Sequence, residues 1–259
     1  MKNLFNVIVI VLSLVVAYLI FELWFGNPDN FMDEAKRQPK QGAILGMIYT
    51  GGPIVAILIS LIIIAVTFSV ERTLSINKAR GKGNINEFVK KVTDLLVAGK
   101  TKEALAECEN QRGSLANIIR GAIARFNEVE SDTELDKEKK MSEVQRAIDE
   151  AINLETPLLE RNLVILSTVS SVSTMFGLLG TTIGMIRAFA AFGETGTVDA
   201  TQLAVGISEA LYNTAGGLGA AIISIIAFNF FSTKVDSYVY MIDEAVLNVT
   251  QILTVRVNK

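Results

Sequence analysis

The sequence predicts an all-α integral membrane protein with four transmembrane helices, one of them an extra N-terminal span, and a helical cytoplasmic region into which the helices of spans three and four extend. Three observations carry this. Half of the 259 residues are hydrophobic. They gather in long blocks nearly free of charge, each near the roughly 20 residues that a helix needs to cross about 30 Å of hydrocarbon. The stretch between the second and third blocks is densely charged, with its apolar residues at helical spacing.

The first span occupies residues 1–25, with an apolar run from 4 to 21 that continues past Glu22 to Phe25. Its position also fits a signal peptide, but the run is long and no small-x-small cleavage pattern follows, so an uncleaved helix is expected. Residues 26–45 form a periplasmic connection and 46–70 the second span, with Gly51, Gly52 and Pro53 at its mouth. Residues 71–160 read as a helical region outside the membrane. Within it, Asn84 with Glu87 three positions on suggests a capping box, Ala98-Gly99-Lys100 a helix break, and Thr101 and Ser114 further N-caps. Met141, Val144, Ile148, Ala151 and Ile152 then mark an amphipathic helix, which Pro157 can kink before the membrane. The third span covers 161–192, a short periplasmic loop 193–200, the fourth span 201–233 and a cytoplasmic tail 234–259.

Orientation follows from basic residues near the span ends. Arg72, Lys78, Arg80 and Lys82 follow span two, Arg146 and Arg161 precede span three, and Lys234 follows span four. The loop at 193–200 holds Glu194 and Asp199 but no base. Both termini and the middle region are therefore expected in the cytoplasm. The connection before span two, with Lys36, Arg37 and Lys40, mildly opposes this, although Asp29, Asp33 and Glu34 accompany those bases.

Several function classes recede. A net charge of −3, with acids and bases intermixed, provides no basic stripe for nucleic acid. One cysteine, Cys108, allows no intramolecular disulfide, and the chain has no histidine, the commonest metal ligand and general base. The run GLLGTT at 177–182 lacks the lysine of a phosphate-binding loop and lies inside an apolar span. No nucleophile and base stand in a recognisable pattern, so neither an enzyme, nor a metal, nor a cofactor is expected.

Spans three and four carry the functional signal. On a wheel of 100° per residue, Gly206, Asn213, Gly216, Gly217, Ala220, Ser224 and Gln202 fall within about 80° of Glu209. Ile207, Leu211, Leu218, Ile222 and Ile225 take the opposite side, where lipid can lie. In span three, Ser167, Thr174 and Thr181 recur every seven residues, flanked by Ser170, Ser171, Gly177 and Gly184, and Gly177, Gly180, Gly184, Gly216 and Gly217 are candidate helix-packing positions. Facing polar stripes suit a hydrated or proton-conducting interface, and they equally suit close helix packing with hydroxyls bonded to their own carbonyls. A carboxylate within a span costs about 2.5–3.5 kcal/mol and usually marks an ion pathway. Glu209 fits that description, or an interfacial position, since it lies early in its span; Glu22 poses the same choice.

The segments FGLLGTTIGMIRAF (176–189) and GISEALYNTAGGLGAAIISIIAFN (206–229) resemble the signature helices of the ExbB/TolQ/MotA proton-channel superfamily, in the ExbB/TolQ version. The resemblance implies that Thr181 and Thr214 are the two family threonines that line the pore and that Glu209 is the family glutamate. It further implies a homopentamer around two copies of an ExbD/TolR-like single-span partner, whose aspartate carries the transported proton. The work would pass to a TonB- or TolA-like envelope protein, from a multi-pass position in the bacterial inner membrane. Thr174 and Ile223 stand where many members have proline, and the extra first span matches the four-span count of MotA. A flagellar- or gliding-type stator subunit and a non-conducting membrane scaffold remain the alternatives.

Overall fold

The computed structural model describes residues 2–33, 38–40, 42–195 and 200–258, with side chains described for all of these except 2, 3, 5, 191–195, 200–202 and 258. Lys36, Arg37, Glu34 and Asp199 lie outside the described residues, as do the side chains of Glu194 and Gln202. Every regular element among the described residues is helical, apart from an isolated bridge between Phe31 and Pro39. The helices are α1 (Lys2–Ile20), α2 (Ile44–Tyr49), α3 (Pro53–Arg80), α4 (Ile85–Val97), α5 (Thr101–Gln111), α6 (Gly113–Glu130), α7 (Lys137–Glu160), α8 (Leu163–Thr195) and α9 (Ala200–Asn258). Four helical stretches among the described residues are long and apolar enough to cross a membrane. The expected all-α membrane fold with four spans is what the chain adopts.

The helices divide between two compact units, residues 1–70 with 162–229 and residues 71–161 with 230–259. In the first unit, α1 buries Ser13 and Ala17, a stripe that Phe21 continues just past its end, and leaves most of its remaining apolar surface exposed. The helix widens into a π-helical turn, Phe21–Phe25, closed by the Gly26 N–H on the Phe21 carbonyl at 2.9 Å. Glycine is required at this closure, because a Cβ on Gly26 would stand 2.7 Å from the Tyr49 ring. That ring stacks on Phe21 at 4.5 Å between centroids, meets Phe31 edge-on, and its hydroxyl donates to Glu22 at 3.4 Å. Glu22 is thus tied to α2 rather than left to the headgroup region alone. Gly52, at φ +72, turns the chain into α3, where Pro53 fills a first-turn position that needs no N–H donor. Buried Val55, Leu58, Leu61, Ala65 and Phe68 trace one face of α3.

The second unit is a helical assembly in which α4, α5, α6 and α7 pack in succession. Its core includes Phe88, Val92, Leu96, Ile119, Ile123, Phe126, Val144 and Ile148, so the amphipathic reading of α7 holds in its first half. Residues 234–258 are not a separate tail. Phe231, Val235, Tyr238, Ile242, Ala245, Val249 and Leu253, spaced three or four apart, are all buried, and this seam makes the end of α9 part of the same core. The Tyr238 hydroxyl donates to the Ala79 carbonyl at 2.7 Å and accepts from the Leu115 N–H at 3.5 Å. Burial raises its pKa above the usual phenolic value.

Two cap assignments need correction. Asn84 caps α4, accepting from the Asn86 N–H at 3.0 Å, and Gly99 at φ +78 makes the expected break. Thr101, however, is the first residue of α5 and Lys100 takes the cap position without a side-chain bond. Ser114 lies inside α6 and is buried. There, tight crossing of the Ala79–Gly81 and Gln111–Gly113 backbones sets the helix start: a Cβ on Gly81 would fall 2.1 Å from the Arg112 carbonyl oxygen, and Arg112 itself adopts φ +58.

Candidate functional site

Small residues bring α8 and α9 together as an antiparallel pair. Gly177 meets Gly217, Gly180 meets Asn213, Gly184 meets Ala210, and Ala188 meets Gly206. A Cβ on Gly217 would lie 2.6 Å from the Gly177 Cα, and one on Gly180 would lie 2.4 Å from the Asn213 Cβ. Without a hydrophobic driving force between helices in lipid, such close backbone approach supplies the van der Waals contact that holds spans together. Gly216 points elsewhere, toward Leu58 of α3.

This approach places two hydroxyls on one carbonyl. Thr181 Oγ1 donates to the Gly177 carbonyl of its own helix at 3.1 Å, and Thr214 Oγ1 reaches the same oxygen from α9 at 3.3 Å. The two hydroxyls also bond each other, and both residues are half-buried. A threonine hydroxyl has one proton and two lone pairs, and a carbonyl has two lone pairs only. Three oxygens therefore share two protons, and either hydroxyl can supply the carbonyl while receiving from the other. The exchange requires hydroxyl rotation but no movement of heavy atoms, and an oxygen lone pair stays free for a third partner.

The remaining hydroxyls of α8 are mostly spent locally. Thr174 bonds the Ser170 carbonyl at 3.2 Å and Ser173 the Val169 carbonyl at 2.6 Å, whereas Ser170 crosses to the Ala221 carbonyl of α9 at 3.1 Å. Thr174 thus occupies its helix as a back-bonded threonine. Ser167 is half-buried on the same seven-residue stripe.

The wheel on α9 is realised, with a difference in what the polar face meets. Glu209, Asn213, Gly217, Ala220 and Ser224 are buried, whereas Leu211, Leu218 and Ile222 are exposed. Within the chain, Glu209 and Asn213 face other parts of the first unit. Glu209 Oε1 accepts from Arg187 Nη1 at 2.6 Å, and its side chain is 10% exposed. Asn213 donates from Nδ2 to the Gly51 carbonyl at 3.0 Å. Thr181, Thr214 and Gly177 therefore form one cluster, and Glu209 with Arg187 forms a second, with Asn213 between them along α9.

Residues 111–244 match the MotA/TolQ/ExbB proton channel family. The chain belongs to that family. Among individual relatives, the Tol-Pal system protein TolQ of Pseudomonas aeruginosa is 37% identical over 117 residues, 45% of this chain and 51% of that protein. The biopolymer transport protein ExbB of Xanthomonas campestris is 41% identical over 96 residues, 37% of this chain and 38% of its own. The ExbB-like protein 3 of Synechocystis is 38% identical over 92 residues, covering 35% and 44%. The chain spans about half the length, or less, of the relatives it matches. Family membership and the four apolar helices make it a multi-pass protein of the bacterial inner membrane.

Sequence reasoning missed Arg187, Gly51 and Gly52 as parts of the site. Arg187 lies inside the 161–192 span, just after its uncharged stretch, and the sequence by itself assigns it no role. Its partner becomes visible only from the pairing of α8 with α9: contacts 177 with 217 and 184 with 210 place position 187 opposite the turn that carries Glu209.

Proposed function

We propose that this chain is the ring subunit of a proton-driven motor. Five copies surround two copies of a single-span ExbD/TolR-like partner whose membrane aspartate binds and releases the proton. The complex converts the proton motive force into mechanical work on a TonB- or TolA-like envelope protein. Its termini and the 71–160 region lie in the cytoplasm, in line with the basic residues that follow span two and precede span three, and the exposed Leu211, Leu218 and Ile222 face lipid.

The observation that carries this reading is the Thr181–Thr214 pair on the Gly177 carbonyl, half-buried in the single chain and able to reorient its protons. Thr174 and Ser167 continue the stripe along α8, and Asn213 and Glu209 back the pair from within the protomer. A scaffold reading draws on one specific fact, the local back-bonding of Ser173 and Thr174.

Valine substitutions at Thr181 and Thr214 separate the two, since they keep shape and remove the hydroxyl. With the full chain and its partner in liposomes containing a pH-sensitive dye, a motor subunit loses proton flux at least tenfold while the complex stays assembled. Unchanged flux in both variants, with assembly intact, would remove the hydroxyls from the proton path, and an assembled parent complex without flux would leave the scaffold.

A further inference from the structure

The Arg187–Glu209 pair stands at a meeting of three segments. Arg187 lies on α8, Glu209 on α9, and Gly52 in the turn between α2 and α3. A Cβ on Gly52 would lie 3.5 Å from Arg187 Nη1 and 3.6 Å from Glu209 Oε1, and Gly52 holds φ +72. The turn thus lies beside both charges, and most side chains would be strained at this position because of its positive φ. Next to it, the Gly51 carbonyl takes the Asn213 amide, one turn along α9 from Glu209. The α2–α3 turn is therefore fastened to α9 through the Asn213 amide and lies beside the Arg187–Glu209 pair one helical turn away.

Around this point the α8–α9 contact has little side-chain interlock. Ala188 against Gly206 and Gly184 against Ala210 pack closely, but these small side chains make no directional contact that would fix the register. The ion pair is such a contact. Thr181 lies six residues before Arg187 and Thr214 five residues after Glu209, so the pair is about 8 Å along the helix axes from the two hydroxyls. A change in register at the pair reaches the hydroxyls through fewer than two turns of rigid helix.

We propose that Arg187 and Glu209 form an electrostatic latch that holds α8 and α9 in the register at which Thr181 and Thr214 share the Gly177 carbonyl, and that Arg187 is a positioning residue for ion conduction. The proposal rests on the conducting function proposed above. Glu209 then acts as the fixed partner of a cation in its own chain, and conduction depends on the pair and not on the carboxylate alone.

The test uses the full chain assembled with its single-span partner in liposomes, with proton flux read by an internal pH-sensitive dye. Arg187→Gln is expected to lower flux at least tenfold with the complex intact. Arg187→Lys should stay within threefold of the parent, and the exchange Arg187→Glu with Glu209→Arg should recover at least a third of parental flux. A merely structural site would show no such rescue by an exchanged pair. The latch is overturned if Arg187→Gln conducts normally, or if the lysine and exchanged variants are as inactive as the glutamine variant. Should the parent itself fail to conduct, the conducting reading fails and the latch is judged by register alone. A Thr214→Cys reporter, in a Cys108→Ser background, is labelled with a membrane-permeant maleimide with and without Arg187→Gln. Faster labelling in the Arg187→Gln background upholds the latch, and an equal rate overturns it.

Discussion

Two glycines, two residues apart on α9, should respond in opposite directions to the same methyl group. Gly217→Ala places a Cβ 2.6 Å from the Gly177 Cα, 2.7 Å from the Ser173 carbonyl oxygen and 3.0 Å from the Gly177 nitrogen. All three are backbone atoms of a packed helix, so no side chain can turn aside. Restoring an ordinary carbon contact of about 3.5–4.0 Å requires the helices to part by roughly 1 Å. Thr214 Oγ1, now 3.3 Å from the Gly177 carbonyl oxygen, then passes beyond hydrogen-bonding reach. Overpacking of this kind costs about 1–3 kcal/mol, and the lost hydrogen bond adds about 1 kcal/mol. Gly219→Ala meets nothing within 4 Å and exchanges a flexible residue for the best helix former, a gain of up to about 1 kcal/mol. Thermal unfolding in detergent, followed by helical circular dichroism, should give Gly217→Ala below the parent and Gly219→Ala at or above it. Equal stability of the two variants, or the reverse order, would refute the close-contact argument and with it the geometry of the threonine pair.

The second unit yields two further tests. Burial pushes the Cys108 thiol up to about 12 from an ordinary 9.0. At pH 8 the folded chain thus presents roughly a thousandfold less thiolate than the unfolded chain, and maleimide should label Cys108 only on unfolding. Because the folded pKa is the higher one, stability is independent of this group below pH 9 and declines as pH rises from about 9 toward 12; rapid labelling of the native protein, or a melting point flat across that window, would contradict the burial. Asn84→Ala should cost about 1 kcal/mol through loss of its bond to the Asn86 N–H, whereas Thr101→Ala should change stability by less than about 0.5 kcal/mol, since no cap bond is made there. Equal losses in the two variants, read by urea or thermal melts, would undo the cap assignment.

How much of the site was legible in the sequence depends on the kind of information each part needs. The greasy and polar sides of α9 follow from composition at a 3.6-residue period, and Leu211 and Leu218 lie exposed where the wheel places them. Thr181 and Thr214 stand out because hydroxyls in apolar spans are conspicuous and sit in recognisable family segments. The partner of Glu209 is not a local property. Arg187 does stand out, as the one charged residue from 162 to 192, but neither it nor Gly52 names its partner, because their meeting depends on the register between α8 and α9 and on the turn into α3. Thr101 and Ser114 failed as caps for a related reason: residue type favours that role, but close backbone crossing at Gly81 and Gly113 decides where α6 begins.

By itself, then, the sequence determined the all-helical membrane class, the four apolar spans and the small polar faces of the last two, because hydrophobicity and period act along one chain and need no partner to be read. Tertiary structure alone decided that Gly177 gives its carbonyl to two threonines, that Glu209 is held by Arg187 beneath Gly52, and that the end of α9 joins the core of the second unit. Those outcomes turn on ångström-scale approach between segments distant in the chain. In a medium without water to satisfy polar groups, that approach chooses which partner each group takes.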